Sequence, residues 1–194
     1  MVYYDAVNEI ISNVKKSTQE VNQDDLKEMI NTIKEADSIF VMGLGRSGLV
    51  AKAFAMRLMH LGLNVYVVGE TITPAITEKD CLIAISGSGE TSYILSTTDT
   101  AIDIGSKIIA ITSYPESSLG KKSDVVVEVK GRTKNENEPS YIKRQISGQH
   151  QTLSPLGTLF EISALVFLDS TIAQLMYEYG LTEKDLKARH TVLE

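Results

Sequence analysis

Ser38-Ile39-Phe40-Val41-Met42 runs directly into Gly43-Leu44-Gly45-Arg46-Ser47-Gly48, and farther along Cys81-Leu82-Ile83-Ala84-Ile85 runs into Ser86-Gly87-Ser88-Gly89-Glu90-Thr91. Each is a short apolar stretch ended by a turn rich in glycine and hydroxyl groups. Apolar stretches of this length, bounded by turn residues, predict strands buried on both faces. Helical spacing follows each turn. Leu49, Val50, Phe54, Leu58 and Leu61 come after the first, and the segment after the second ends on Gly105, a common helix stop. The order strand, turn, helix therefore occurs twice, which is the pattern of parallel strands sandwiched between helices.

Outward from these two units, residues 64–68, 107–112 and 124–129 predict further strands. Residues 5–18 and 24–36 predict amphipathic helices, the second capped by Asp24 or Asp25. Residues 155–179 predict the longest helix, with Pro155 in its first turn and Ser154 as N-cap. A short helix over 182–189 precedes the tail, and residues 131–152 form a polar loop. The expected fold is α/β: a three-layer α-β-α sandwich around a five-stranded parallel sheet with flavodoxin-like topology. Residues 1–194 are expected to form a single domain, with the helices of 1–36 packing on it or on a neighbouring subunit. In that topology the first and third strands are neighbours at the switch point, where ligands bind. Both glycine turns then face one crevice.

The turns suit an anion. Glycine lets the backbone approach a ligand closely, and a helix N-terminus offers free N–H groups and a positive dipole end. The hydroxyls of Ser47, Ser86, Ser88 and Thr91 add donors. The candidate substrate-binding residues are Gly45, Arg46 and Ser47 in the first turn, and Ser86, Gly87, Ser88, Gly89, Glu90 and Thr91 in the second. A rival exists, because Gly43, Gly45 and Gly48 fit the dinucleotide fingerprint and Glu70 lies where an acidic residue would hold a ribose. The fingerprint leaves the second turn unexplained, and the chain has no room for a second domain to hold a hydride partner.

Composition narrows the class. A chain of 194 residues fits one domain, and a net charge of −6 disfavours nucleic acid. The N-terminus lacks a basic region, and no apolar run approaches the roughly 20 residues of a membrane span. The expectation is a cytoplasmic protein without membrane or nucleic-acid partners. Cys81 is the only cysteine, which excludes an internal disulfide. The histidines, at 60, 150 and 190, lack metal-ligand spacing, so no metal is expected.

For chemistry, Glu161 stands in a helix apolar on most faces, among Leu159, Phe160, Ile162, Leu165 and Val166. A carboxylate there is costly unless paired or functional, and burial would raise its pKa towards a value useful for a base. Asp169 in the same helix is the runner-up. His60 is a candidate proton relay, His190 in the tail a candidate for a neighbouring subunit's pocket, and His150 has no assigned partner. Leu159, Val166, Leu175 and Met176 are candidates for subunit contact, since one layer cannot cover so apolar a helix.

The second turn resembles the phosphosugar signature of sugar isomerase (SIS) domains. Gly45-Arg46-Ser47-Gly48, the run from Phe54 through His60 to Gly62, Val68-Gly69-Glu70-Thr71, Pro115-Glu116-Ser117-Ser118, Pro155-Leu156-Gly157-Thr158-Leu159-Phe160-Glu161 and Arg189-His190 resemble the 6-phospho-3-hexuloisomerase family in particular. The likeness runs from about residue 38 to the end. It implies interconversion of D-arabino-3-hexulose 6-phosphate and fructose 6-phosphate, without an organic cofactor. It further implies a homotetramer working beside 3-hexulose-6-phosphate synthase, and it maps the family's base onto Glu161. Another SIS sugar-phosphate isomerase and a non-catalytic phosphosugar-binding regulator are the alternatives.

Overall fold

The computed structural model describes residues 1–131, 153–155 and 157–191. The helices are α1 (Val2–Gln19), α2 (Gln23–Glu35), α3 (Arg46–Leu61), α4 (Ser92–Ile104), α5 (Ser118–Lys122), α6 (Thr158–Tyr179) and α7 (Glu183–Ala188). The strands are β1 (Ile39–Gly43), β2 (Val65–Val67), β3 (Cys81–Ile85), β4 (Lys107–Thr112) and β5 (Val125–Glu128). They form one parallel sheet in the order β2-β1-β3-β4-β5. This is the expected α/β sandwich with the expected switch point. Gly43 pairs with Ile85, so β1 and β3 end side by side and release their turns together.

Strand composition explains the layering. All five residues of β3 are buried, as an apolar strand covered on both faces must be. Val41, Ile83, Ile85, Ile109 and Ile111 pack on one face with Phe54 and Leu58 of α3, Met29 and Ile33 of α2, and Phe167 and Leu168 of α6. Phe40, Met42, Leu82, Ala84, Ile108 and Ala110 point to the other face, against Ile94 and Ala101 of α4 and Leu119 of α5. The period-2 alternation of the strands thus feeds two separate cores. α1 is tied down as well: Ser17 donates to the Lys130 carbonyl at 2.7 Å, and Glu20 pairs with Lys130 at 3.0 Å.

Several boundaries differ from expectation for identifiable reasons. α2 is capped by Asn22, whose side chain accepts from the Asp24 and Asp25 amides, so those aspartates lie in the first turn and do not serve as the cap. α6 begins at Thr158 after Gly157 and not at Pro155. The Ser154 hydroxyl donates to Glu9 Oε1 at 3.0 Å, so it is engaged with α1 and does not cap α6. β5 begins after Asp124, whose carboxylate accepts from Lys107 Nζ at 2.7 Å and the Ile108 amide at 2.8 Å. α5 has no counterpart in the sequence reading, because five residues are too short for a period to register. The expected loop over 131–152, with His150, lies outside the described residues except at Gly131.

α6, with 22 residues, is long and apolar enough by length and composition to cross a membrane. Here it is a packing helix: Phe160, Ala164, Phe167, Leu168, Ile172 and Leu175 are buried in the core. Leu159 and Leu175, expected at a subunit contact, are only 7% and 0% exposed and belong to the core of their own chain.

Cys81 is fully buried in β3, and burial pushes its thiol up to about 12. The thiolate is the reactive form. The native thiol is therefore expected to resist a disulfide reagent at pH 8 and to react at once in denaturant, which a colorimetric thiol assay reads. Rapid labelling of the native protein would contradict this burial.

Candidate active site

The site lies where the turns after β1 and β3 meet. The first turn projects Gly45, at φ 56°, into space with no heavy atom within 4 Å of where a Cβ would stand. Only glycine adopts this backbone without strain, and the opening lets a ligand reach the main chain. Arg46 and Ser47 follow as the first residues of α3. Their amides are among the N-terminal donors that a helix cannot satisfy internally.

The second turn divides its residues between structure and ligand. The buried Ser86 hydroxyl accepts from the Gly89 amide at 3.2 Å and lies 3.3 Å from Thr91 Oγ1. Ser86 thus braces the turn from inside. Ser88 is exposed and accepts from the Glu90 amide at 3.2 Å. Thr91 is the N-cap residue of α4 but makes no side-chain cap bond there. The Glu90 carboxylate accepts from the Ser118 amide at 2.8 Å. Glu90 thus links the turn to α5. Glu70 pairs with Lys52 at 2.6 Å on the outer side of α3.

α6 closes the crevice and brings the carboxylate. Phe160 packs on Gly87, where a Cβ would come within 2.9 Å of its ring. Glu161, the next residue, accepts a hydrogen bond from Arg46 Nε through Oε2. Two successive residues of α6 therefore touch both turns. The Glu161 side chain is 14% exposed, against 57% for Arg46. Behind it lies Gly157, where a Cβ would stand 2.8 Å from Glu161 Oε1. The carboxylate is thus paired, one of the two conditions under which an apolar helix tolerates it. Gly157 and Phe160 are site-shaping residues that were not assigned from sequence; the signal for Gly157 is a glycine immediately before a hydroxyl residue, Thr158. Ser117 is another, since its Oγ lies 1.9 Å from a Cβ built at Gly89.

The other candidates lie elsewhere. Asp169 pairs with Arg57 at 3.7 Å and is exposed. His60 ends α3, whereas Arg46 begins it. At about 1.5 Å per residue the separation is roughly 20 Å, so His60 cannot join Glu161 within one chain. His60 instead stacks on His190, ring centroids 5.2 Å apart. Burial, then the neighbouring His190 and Arg57 charges, push the His60 imidazole below its ordinary 6.5.

This shift predicts a pH dependence. Because the folded-state pKa is depressed, the unfolded chain takes the proton more readily. The contribution to stability is complete above about 6.5 and is lost as pH falls from there through the folded pKa. Denaturant titrations at pH 7.5 and 5.5 should show that loss, and His60→Asn should shrink it. An unchanged difference in the variant would place the acid sensitivity elsewhere.

Comparison with known proteins places the chain in a family. Residues 32–144 match the SIS domain. A protein of Archaeoglobus fulgidus is 51% identical over 99% of this chain and 98% of its own length. The 3-hexulose-6-phosphate isomerase of Bacillus subtilis is 37% identical over 97% of each chain. The chain belongs to the SIS-domain family, among the 3-hexulose-6-phosphate isomerases. A crystal structure from Methanococcus jannaschii, inferred to be a 3-hexulose-6-phosphate isomerase, superposes on this isomerase with a TM-score of 0.78. It is 35% identical and matches over the whole of both chains. The present chain is thus a sugar-phosphate isomerase.

Proposed function

We propose that the isomerase interconverts D-arabino-3-hexulose 6-phosphate and fructose 6-phosphate, with Glu161 as the base and the two turns as the phosphate site. The observation that carries this reading is the contact of Phe160 and Glu161 with both turns. The 3-ketose cannot close a five-membered ring, because its C6 oxygen carries the phosphate, so it arrives open-chain. Glu161 takes the C2 proton, and the C–H electrons form the C2=C3 double bond as the C3 carbonyl becomes an enediol oxygen. The C2 hydroxyl proton passes to the C3 oxygen as the C2 carbonyl forms, and Glu161 returns the carbon-derived proton to C3. Donors near the developing oxyanion lower the barrier. This chemistry needs no organic cofactor.

Ser47, Ser88 and Thr91 are the proposed phosphate ligands, with the amides at the starts of α3 and α4. Each alanine variant should lose about 1.5–3 kcal/mol of binding for a charge-assisted bond, read as a raised Kd for fructose 6-phosphate by calorimetry. Crystals soaked in fructose 6-phosphate test the same point. Phosphate density at the turns is expected, and density remote from both would overturn the assignment.

The enzyme is proposed to act in the cytoplasm as a homo-oligomer, by resemblance a tetramer. Its expected partner reaction is a synthase that condenses formaldehyde with ribulose 5-phosphate. Leu49, Met56 and Met59 on α3 and Val166 on α6 leave an exposed apolar surface suited to subunit contact. Light scattering at micromolar concentration should give a multiple of the chain mass; a monomer would contradict it. His60 and His190 have a catalytic role in this scheme only if they enter a neighbouring subunit's crevice.

A further inference from the structure

We propose that Arg46 is a substrate-operated latch on Glu161: it holds the carboxylate in the empty site and releases it when a phosphate dianion enters the turns. This rests on the isomerase reading above and identifies how its base is switched on. Arg46 belongs to both parts of the site. It is the first residue of α3, inside the first turn, and its Nε donates to Glu161 Oε2. The guanidinium stands outside the carboxylate, at 57% exposure against 14%, and so covers it on the solvent side. On the inner side the carboxylate rests over Gly157, where any Cβ would intrude within 2.8 Å. Glu161 thus has a seat shaped for the latched position.

A carboxylate oxygen bonded to a guanidinium is a poor proton acceptor, so the latched state is the wrong one for catalysis. Arg46 stands inside the first turn, so among the described residues it is a cation placed to meet an incoming phosphate. Arg46 is half-exposed, so its pair with the carboxylate is weakened by solvent, and a phosphate dianion, which carries twice the charge of a carboxylate, also accepts from arginine bidentately. The dianion therefore competes for Arg46 and leaves Glu161 without its hydrogen-bonded cation. Arg46 in this account is a positioning residue, and the binding energy of the phosphate is used to prepare the base.

The test separates the phosphate from the sugar. D-Xylulose has the C2 ketone and the C3 and C4 configurations of fructose but carries no phosphate. In D₂O, the wild type should exchange deuterium into C3 of D-xylulose slowly, and added phosphite dianion should accelerate this by about tenfold or more. Arg46→Gln should abolish the acceleration, and Arg46→Lys should recover KM for fructose 6-phosphate better than it recovers kcat. In parallel, the ¹⁵N-labelled Arg46 Nε–H resonance should shift when phosphite or fructose 6-phosphate binds. Wild type that turns over fructose 6-phosphate but ignores phosphite would overturn the latch alone. Wild type inert towards fructose 6-phosphate would instead overturn the isomerase reading. An Nε–H resonance unmoved by saturating ligand would overturn the latch whatever the turnover.

Discussion

Glu161→Gln should bind fructose 6-phosphate with little loss while its turnover falls by about 10²–10⁴-fold, the usual cost of removing a general base. The amide keeps the size of the carboxylate and can still accept from Arg46 Nε, so the seat over Gly157 remains filled. What it cannot do is take a carbon-bound proton. Calorimetry for binding and a coupled assay for turnover separate these two effects. A non-catalytic phosphosugar sensor would show no turnover to lose. If the variant turned over normally, the base would lie elsewhere, and Asp169 is poorly placed to replace it because it pairs with Arg57 away from the crevice.

Gly89→Ala should be the most damaging change for stability in the second turn. A Cβ there would stand 1.9 Å from Ser117 Oγ and 3.2 Å from Thr112 Oγ1, and the backbone is at φ 65°. Left-handed backbone costs a non-glycine residue about 1–2 kcal/mol, and overpacking adds typically 1–3 kcal/mol. The sum, about 2–5 kcal/mol, corresponds to a fall in Tm on the order of 5–15 °C for a chain of this size. Gly45→Ala is the control. Its φ is also positive, at 56°, but its Cβ would meet nothing within 4 Å. With ψ at −128° it lies outside the left-handed helical region, so its stability loss should be backbone strain alone, about 1–3 kcal/mol, while phosphate affinity falls because the added methyl stands in the opening. Calorimetric melts and phosphate titrations of the two variants should thus show opposite patterns. Equal melting losses would mean that the Ser117 contact does not limit the turn.

These contrasts also show where sequence patterns are informative. β3 was legible to the residue because all five of its positions are buried and a serine–glycine turn ends it abruptly. The neighbouring ends of β1 and β3 followed from topology rules acting on the order of elements. The start of α6 was not legible, because the hydroxyl chosen as its cap is engaged by Glu9, 145 residues away in sequence. Leu159 and Leu175 were misassigned to a subunit contact for a related reason. A helix apolar on most faces does not reveal which face its own chain covers. The Arg46–Glu161 pair spans 115 residues, so no local pattern encodes it. Each partner was identified separately, and the packing of α6 against α3 brings them together. Likewise, the bond from the Ser118 amide to Glu90 spans 28 residues and has no local signature.

The most direct test of the account is proton NMR of fructose 6-phosphate in D₂O with the wild-type enzyme. Carbonyl transfer between C2 and C3 through Glu161 predicts loss of the C3 proton signal, with both C1 protons retained, and the loss should disappear with Glu161→Gln. Exchange at C1 would indicate aldose–ketose isomerisation instead, and a spectrum unchanged at both carbons would contradict proton transfer at this site altogether.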